Sequence, residues 1–166
     1  MRLRFVMLAM TMFLLTGCSS WRYFTVINKS GKSQSIRVST GRVFGDNDTI
    51  CVAFRVKNFN AKELSIPRDK FVLEAGSSMI TPLGDNDALK SNALKTGIKK
   101  YLSSRNRSKL YAPSALKVPA KKAWNRVTCY DVRGNKGPYM LRLKDFSWNG
   151  KSVTMKPFKF RQVQKK

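Results

Sequence analysis

The sequence predicts an all-β fold, an antiparallel β-sandwich, and two observations carry that prediction. Apolar residues recur with period two in short runs bounded by Gly, Pro or Asn, and no helical pattern alternates with them as parallel units would require. "DTICVAFRVKN" sets Ile50, Val52, Phe54 and Val56 on one face against Cys51, Ala53, Arg55 and Lys57 on the other, which is a half-buried antiparallel strand. Before it, "RYFTVIN" and "QSIRVSTGRVF" read as one or two strands with a turn at Gly31. After it, "DKFVLEAG", "SMITPL", "WNRVTCYDV", "PYMLRLKDFSW" and "KSVTMKPFKF" repeat the alternation. Roughly seven to nine short strands follow from this reading, a number that suits a sandwich.

One stretch departs from the rhythm. In "DNDALKSNALKTGIKKYLSS", Leu94, Ile98, Tyr101 and Leu102 fall on one helical face, so a short helix over about residues 87–103 is expected between strands. Asp85 or Asp87 would cap its start, and Lys99 and Lys100 would complement the negative end of its dipole. Gly97 weakens such a helix by about 1 kcal/mol relative to alanine.

Ahead of the strands lie Arg2 and Arg4, an apolar run from Phe5 to Leu15 broken only by Thr11, then Thr16, Gly17 and Cys18. This is the charged, apolar and small-residue order of an export signal, too short to span about 30 Å of hydrocarbon. Leu15-Thr16-Gly17-Cys18 resembles the lipobox of bacterial lipoproteins. The resemblance implies cleavage before Cys18, diacylglyceryl transfer to its thiol and acylation of the new amine, with palmitate among the chains; several chains anchor a protein far more firmly than one. Ser19 stands where an inner-membrane retention signal would place Asp, so the expected address is the outer membrane, lipid-anchored and facing the periplasm. The expected organisation is a signal peptide over 1–17, a lipidated tether or first strand over 18–30, and a single domain over 31–166.

Without residues 1–17 the chain keeps 31 basic residues against 9 acidic ones, distributed through strands and loops alike. A folded domain with a strongly positive surface is expected rather than a basic tail. Cys51 and Cys129, 78 residues apart, are the two remaining thiols, and an even pair outside the cytoplasm points to a disulfide. Closing such a loop stabilises on the order of 4 kcal/mol in the chain-entropy account. The residue alternation puts both on the faces of their strands opposite the core.

A strand ending in "VKNFN", then "FVLEAG", then "LKVPAKKAWNRVTCYDV" with its Pro turn, resembles the telokin-like immunoglobulin-fold domains of small bacterial lipoproteins. Tyr130-Asp131-Val132 matches their aromatic-acidic-apolar triplet, while Ala120 stands where Gly is usual. The resemblance spans about residues 45–160, implies an immunoglobulin-like sandwich and names no active site.

The chain contains no histidine, which removes the commonest general base, the commonest zinc ligand and every Ser-His arrangement. "GDND" occurs at Gly45 and again at Gly84, and four aspartates could in principle share a cation, but turn and cap chemistry accounts for these residues. Ser114 and Lys117 have Ser-x-x-Lys spacing without the motifs that give it meaning. No catalytic residue, metal or cofactor is expected. Between Asp87 and Asp131, by contrast, no acidic residue interrupts Lys90, Lys95, Lys99, Lys100, Arg105, Arg107, Lys109, Lys117, Lys121, Lys122 and Arg126, with Tyr101, Tyr111 and Trp124 interleaved. A one-signed field of this kind fits docking to an anionic partner, whether lipid head group, cell-wall polymer or acidic protein. The expected function is a non-catalytic binding or assembly module held at a membrane by its lipid anchor. An accessory lipoprotein of a secretion or conjugation machine, and an envelope enzyme or enzyme inhibitor, are the alternatives. Neither nucleic acid nor a small-molecule substrate is an expected partner.

Overall fold

The computed structural model describes residues 21–27, 30–33, 35–101 and 110–163, so the leader, Cys18, Arg105, Arg107 and Lys109 lie outside the described residues. The described chain is an all-β antiparallel sandwich with two short helices. Its strands are β1 (Arg22–Val26), β2 (Ser30–Ser33), β3 (Ile36–Gly45), β4 (Thr49–Asn58), β5 (Leu64–Pro67), β6 (Phe71–Ala75) and β7 (Ser78–Ile80). The helices α1 (Asp85–Lys90) and α2 (Asn92–Tyr101) follow, then β8 (Ala115–Val118), β9 (Ala123–Asp131), β10 (Tyr139–Leu143), β11 (Phe146–Trp148), β12 (Lys151–Val153) and β13 (Phe158–Val163). Thirteen strands exceed the expected seven to nine because β5 and β8 are four-residue segments that pair only with each other, and "PYMLRLKDFSW" and "KSVTMKPFKF" each break in two.

Most strands belong to one antiparallel sheet in the order β7-β6-β10-β13-β1-β3-β4-β9, with β2 beside β3. The sheet turns back on itself. Phe54 on β4 stacks on Phe71 on β6 with ring centroids 4.6 Å apart, and the Tyr130 hydroxyl on β9 donates to the Phe71 carbonyl at 3.0 Å. Strands five and six places apart in the ladder therefore face each other across the core, and the β5–β8 and β11–β12 pairs close it with Leu64, Ile66, Leu116, Val118, Phe146 and Val153. Burial of the Tyr130 hydroxyl raises its ionisation well above the ordinary tyrosine range.

The alternation read in β4 is realised: Ile50, Val52, Phe54 and Val56 are fully or almost fully buried in this core. On β3 a register shift between Thr40 and Val43 inserts one residue opposite β4. Such a bulge exchanges the faces of a strand. Ile36, Val38 and Thr40 point inward before it and Val43 after it, which sends Phe44 to the other side.

There Phe44 meets a second, smaller core built from Cys51, Ala88, Ala93, Leu94, Tyr111, Val127 and Cys129. Cys51 and Cys129 are opposite each other in the β4–β9 register, with Cα atoms 4.0 Å apart, and form a disulfide. Both cysteines lie on the expected faces, opposite the main core, but that face is not an outer surface here, because α1 and α2 roof the disulfide and leave it fully buried. The expected single helix is two. Ser91 adopts an extended backbone (φ −62°, ψ 136°) between them, donates its hydroxyl to the Ala88 carbonyl and accepts the Leu94 N–H at 3.1 Å. Ser91 is thus the cap that starts α2. Asp85 and Asp87 cap neither helix, since Gly84 occupies the N-cap of α1 with no side-chain bond, and Asp85 instead pairs with Arg68. Gly97 has a packing reason: a Cβ there would stand 2.0 Å from Phe44 Cε2, so only glycine lets α2 lie on that ring.

At the far end of β4 the chain is fixed by Asn58, which is fully buried. Its Nδ2 donates to the carbonyls of Lys62 at 2.8 Å and Val118 at 3.1 Å, with Pro119 O at 3.3 Å. Its Oδ1 accepts the Asn60 N–H at 2.9 Å, and its own N–H donates to Lys122 O at 3.0 Å. One side chain therefore ties the 58–62 loop to the β8–β9 turn. Asn58→Asp keeps the shape but turns the donor into a buried anion facing carbonyl oxygens. We expect it to cost about 3 kcal/mol or more in urea unfolding at neutral pH, against about 1–3 kcal/mol for Asn58→Ala. A loss under about 1 kcal/mol for the aspartate would show that the amide is not what fixes these loops.

Candidate functional site

The bonds of Asn58 place a cluster of cations around Phe59. Arg37 on β3 and Lys57 on β4 are directly opposite in register, both exposed on the outer face, and both sit over the Phe59 ring. Lys57 Nζ is 4.9 Å and Arg37 Cζ 5.7 Å from its centroid. Phe59 is itself held by its N–H, which donates to Ser35 O at 2.9 Å. Arg55, two residues before Lys57, is exposed on the same face between Ser39 and Asn125. From the other side comes the β8–β9 turn, closed by Lys122 N–H to Pro119 O at 3.2 Å. Lys121 sits at its third position with φ +59°, its N–H donates to Asn60 O at 3.1 Å, and its Nζ donates to Phe59 O.

Two features of this corner oppose folding. Like charges directly across an antiparallel pair repel, by some tenths of a kcal/mol to about 1 kcal/mol. A lysine in the left-handed region costs on the order of 1–2 kcal/mol where glycine or asparagine would cost little. Cation–π contact with Phe59 returns about 0.5–1 kcal/mol per exposed cation. None of the three described ion pairs, Arg68–Asp85, Arg133–Asp131 and Arg142–Glu74, includes a residue of the corner.

The eleven basic residues between Asp87 and Asp131 divide among several elements. Lys90, Lys95, Lys99 and Lys100 belong to the two helices, where the first three are exposed. Lys117 is exposed on β8 between buried Leu116 and Val118. Lys121 and Lys122 form the turn at the Phe59 corner, while Arg105, Arg107 and Lys109 lie outside the described residues. Arg126 on β9 is different in kind: its guanidinium lies over the Trp124 ring at 4.1 Å, Nη1 donates to Asn125 O, and Nε is buried without a partner. Burial lowers its pKa from the usual arginine value.

Arg37, Arg55, Lys57 and Phe59 are absent from that run because they lie far upstream of it. Arg55 and Lys57 were visible as the outward residues of β4, but only the register shows that Arg37 is opposite Lys57 and that the Lys121 turn reaches Phe59. The repeated "GDND" serves turns and pairing. Asp46 Oδ1 accepts the N–H groups of Asp48 and Thr49, and Asp85 pairs with Arg68.

No protein-family model matches the chain, and no curated protein matches it. Among solved structures, a candidate lipoprotein of Bacillus subtilis superposes with a TM-score of 0.48 at 16% identity, covering 82% of this chain. The chain spans 38% of the length of that protein. A Listeria monocytogenes protein of unknown function superposes with a TM-score of 0.42 at 9% identity, over 71% of this chain and 73% of the other. The fold described above rests on the strand registers and not on these likenesses.

Proposed function

We propose that this protein is a non-enzymatic, lipid-anchored envelope module that docks an anionic polymer on the corner around Phe59. The observation that carries the reading is the juxtaposition of Arg37 and Lys57 across two strands over one aromatic ring, with Lys121 brought by a strained turn to the backbone carbonyl of the same residue, Phe59. Features that oppose folding and cluster at one place are a mark of function rather than of stability. An anion seated there would relieve the repulsion between Arg37 and Lys57. Arginine supplies a planar fork for phosphate or carboxylate, and the lysines supply point charges that adapt to spacing.

The helical layer is a second basic area with Lys90, Lys95 and Lys99 exposed, on a surface whose underside is occupied with covering the disulfide. A telokin-like sandwich tethered through Cys18 to the outer membrane, with palmitate among its acyl chains, is the setting in which this reading places the corner. No helix of the described residues is long and apolar enough to cross a membrane.

Two outcomes follow. Replacing Arg37, Lys57 and Lys121 together by Gln should weaken binding of sodium polyphosphate about a hundredfold and flatten its salt dependence, since each such cation is worth about 1 kcal/mol near an anionic array. The melting temperature should stay nearly level, because the like-charge contact and the cation–π contacts that disappear together are of similar size and opposite sign. Gln at Lys90, Lys95 and Lys99 should cost much less, and equal losses from both sets, measured by titration calorimetry, would mean diffuse charge rather than a site. In a Gram-negative host, Cys18→Ser should yield a soluble or uncleaved protein. Recovery of that variant, leader removed, in carbonate-washed outer membrane would overturn the anchor.

A further inference from the structure

Beside the Phe59 corner lies a pocket of about 380 Å³ lined by Ser35, Asn60, Trp148, Asn149, Lys151 and Ser152. It is continuous with the corner through two shared residues. Ser35 O accepts the Phe59 N–H, Asn60 follows Phe59 directly, and Asn60 O accepts the Lys121 N–H. The volume falls in the range of about 300–1,000 Å³ typical of small-ligand pockets.

The lining has a definite chemistry. Trp148 packs against the main core and donates its indole N–H to Glu63 O at 3.2 Å, which fixes the ring plane at the pocket wall. Asn149 and Gly150 form the turn between β11 and β12 with φ of +51° and +71°, a two-residue hairpin that puts Asn149 in the lining of the same pocket as Trp148. Amides and hydroxyls both donate and accept, so Asn60, Asn149, Ser35 and Ser152 match a ligand whose own groups do the same. A bare anion needs donors only, and an apolar ligand needs neither. An aromatic wall with amide and hydroxyl groups around it suits a ring that is apolar on its faces and hydroxylated at its rim, which is a sugar.

We infer that this pocket takes one sugar unit of an anionic glycan whose phosphate or carboxylate groups lie on Arg37, Lys57 and Lys121. The inference rests on the docking role proposed above and names its ligand class. Sugar and charge would be read side by side, by an aromatic wall with amides and hydroxyls around it and by a cationic ridge that meet at Asn60, with Lys151 as the one cation among the described residues of the pocket lining.

The test uses the full chain and four probes in titration calorimetry: a phosphodiester-linked hexose trimer, a hexuronic acid trimer, a neutral hexose trimer and tripolyphosphate. At least one charged glycan should bind ten times more tightly than both tripolyphosphate and the neutral trimer, and which one does so identifies the anionic group. Trp148→Leu should bring glycan affinity down to that of tripolyphosphate while leaving tripolyphosphate binding unchanged. Because Trp148 also packs on the core, Asn149→Gly provides a second variant that keeps the positive-φ turn and removes only the amide; it should lower glycan affinity threefold to tenfold at an unchanged melting temperature. Tripolyphosphate binding as tightly as the tighter of the two charged glycans, or that glycan's affinity unaffected by Asn149→Gly, would overturn the sugar pocket and leave the anion corner standing. Failure of every probe to bind would overturn both.

Discussion

Asn58 ends β4 inside the core, where no water reaches its amide, so its donors and acceptor must find protein partners. They find them in the carbonyls of Lys62 and Val118 and the N–H of Asn60, three points of two different loops. The position of Phe59 between Ser35 and Lys121 follows from that arrangement, and the cations around Phe59 follow from it in turn. A β-sandwich leaves its loops at the ends of its strands, and a single buried amide here converts two of them into one rigid corner. The pocket wall at Asn60 belongs to the same unit.

Charge and packing are separated in this fold. Over the disulfide half of the β3–β4–β9 face, α1 and α2 supply an apolar roof, and Gly97 permits the approach to Phe44 that closes it. Beyond that roof the same face carries Arg55, Lys57 and Arg37, exposed among the described residues. The residue that divides the halves is Ala53, small and half-buried at the margin of the second core. With 33 basic residues against 9 acidic ones, most cations have no carboxylate to meet, and spreading them outward minimises repulsion. Arg37 opposite Lys57 is a departure from that pattern, which is why it bears on function.

Strand alternation was legible wherever a strand was long and one-sided, as in β4, and the cysteine pairing was legible from compartment and parity. Four-residue strands such as β5 carry too few alternations to stand out from a loop. The break between the helices was hidden because Ser91 is acceptable inside a helix and only its extended backbone reveals the cap. The bulge at Thr40 and Val43 has no apolar signature except Val43 beside Phe44, two large residues in succession that must face opposite ways. Most of the corner could not be read at all, since it is assembled from β3, β4 and the β8–β9 turn. The basic interval after Asp87 drew attention to Lys121 and Lys122 for their neighbours in sequence, whereas their structural neighbours are Asn58, Phe59 and Asn60.

The central claim is that anions gather at one corner and not over the whole positive surface. Amide chemical-shift mapping of the isotope-labelled protein titrated with polyphosphate at physiological salt addresses it directly, since exposed charges farther than about 8 Å from a bound anion are largely screened. The account predicts that the largest shifts fall in residues 35–39, 55–60 and 120–123, three segments distant in sequence and joined by Asn58. Shifts concentrated in residues 85–99, or spread evenly over the exposed lysines and arginines, would contradict it.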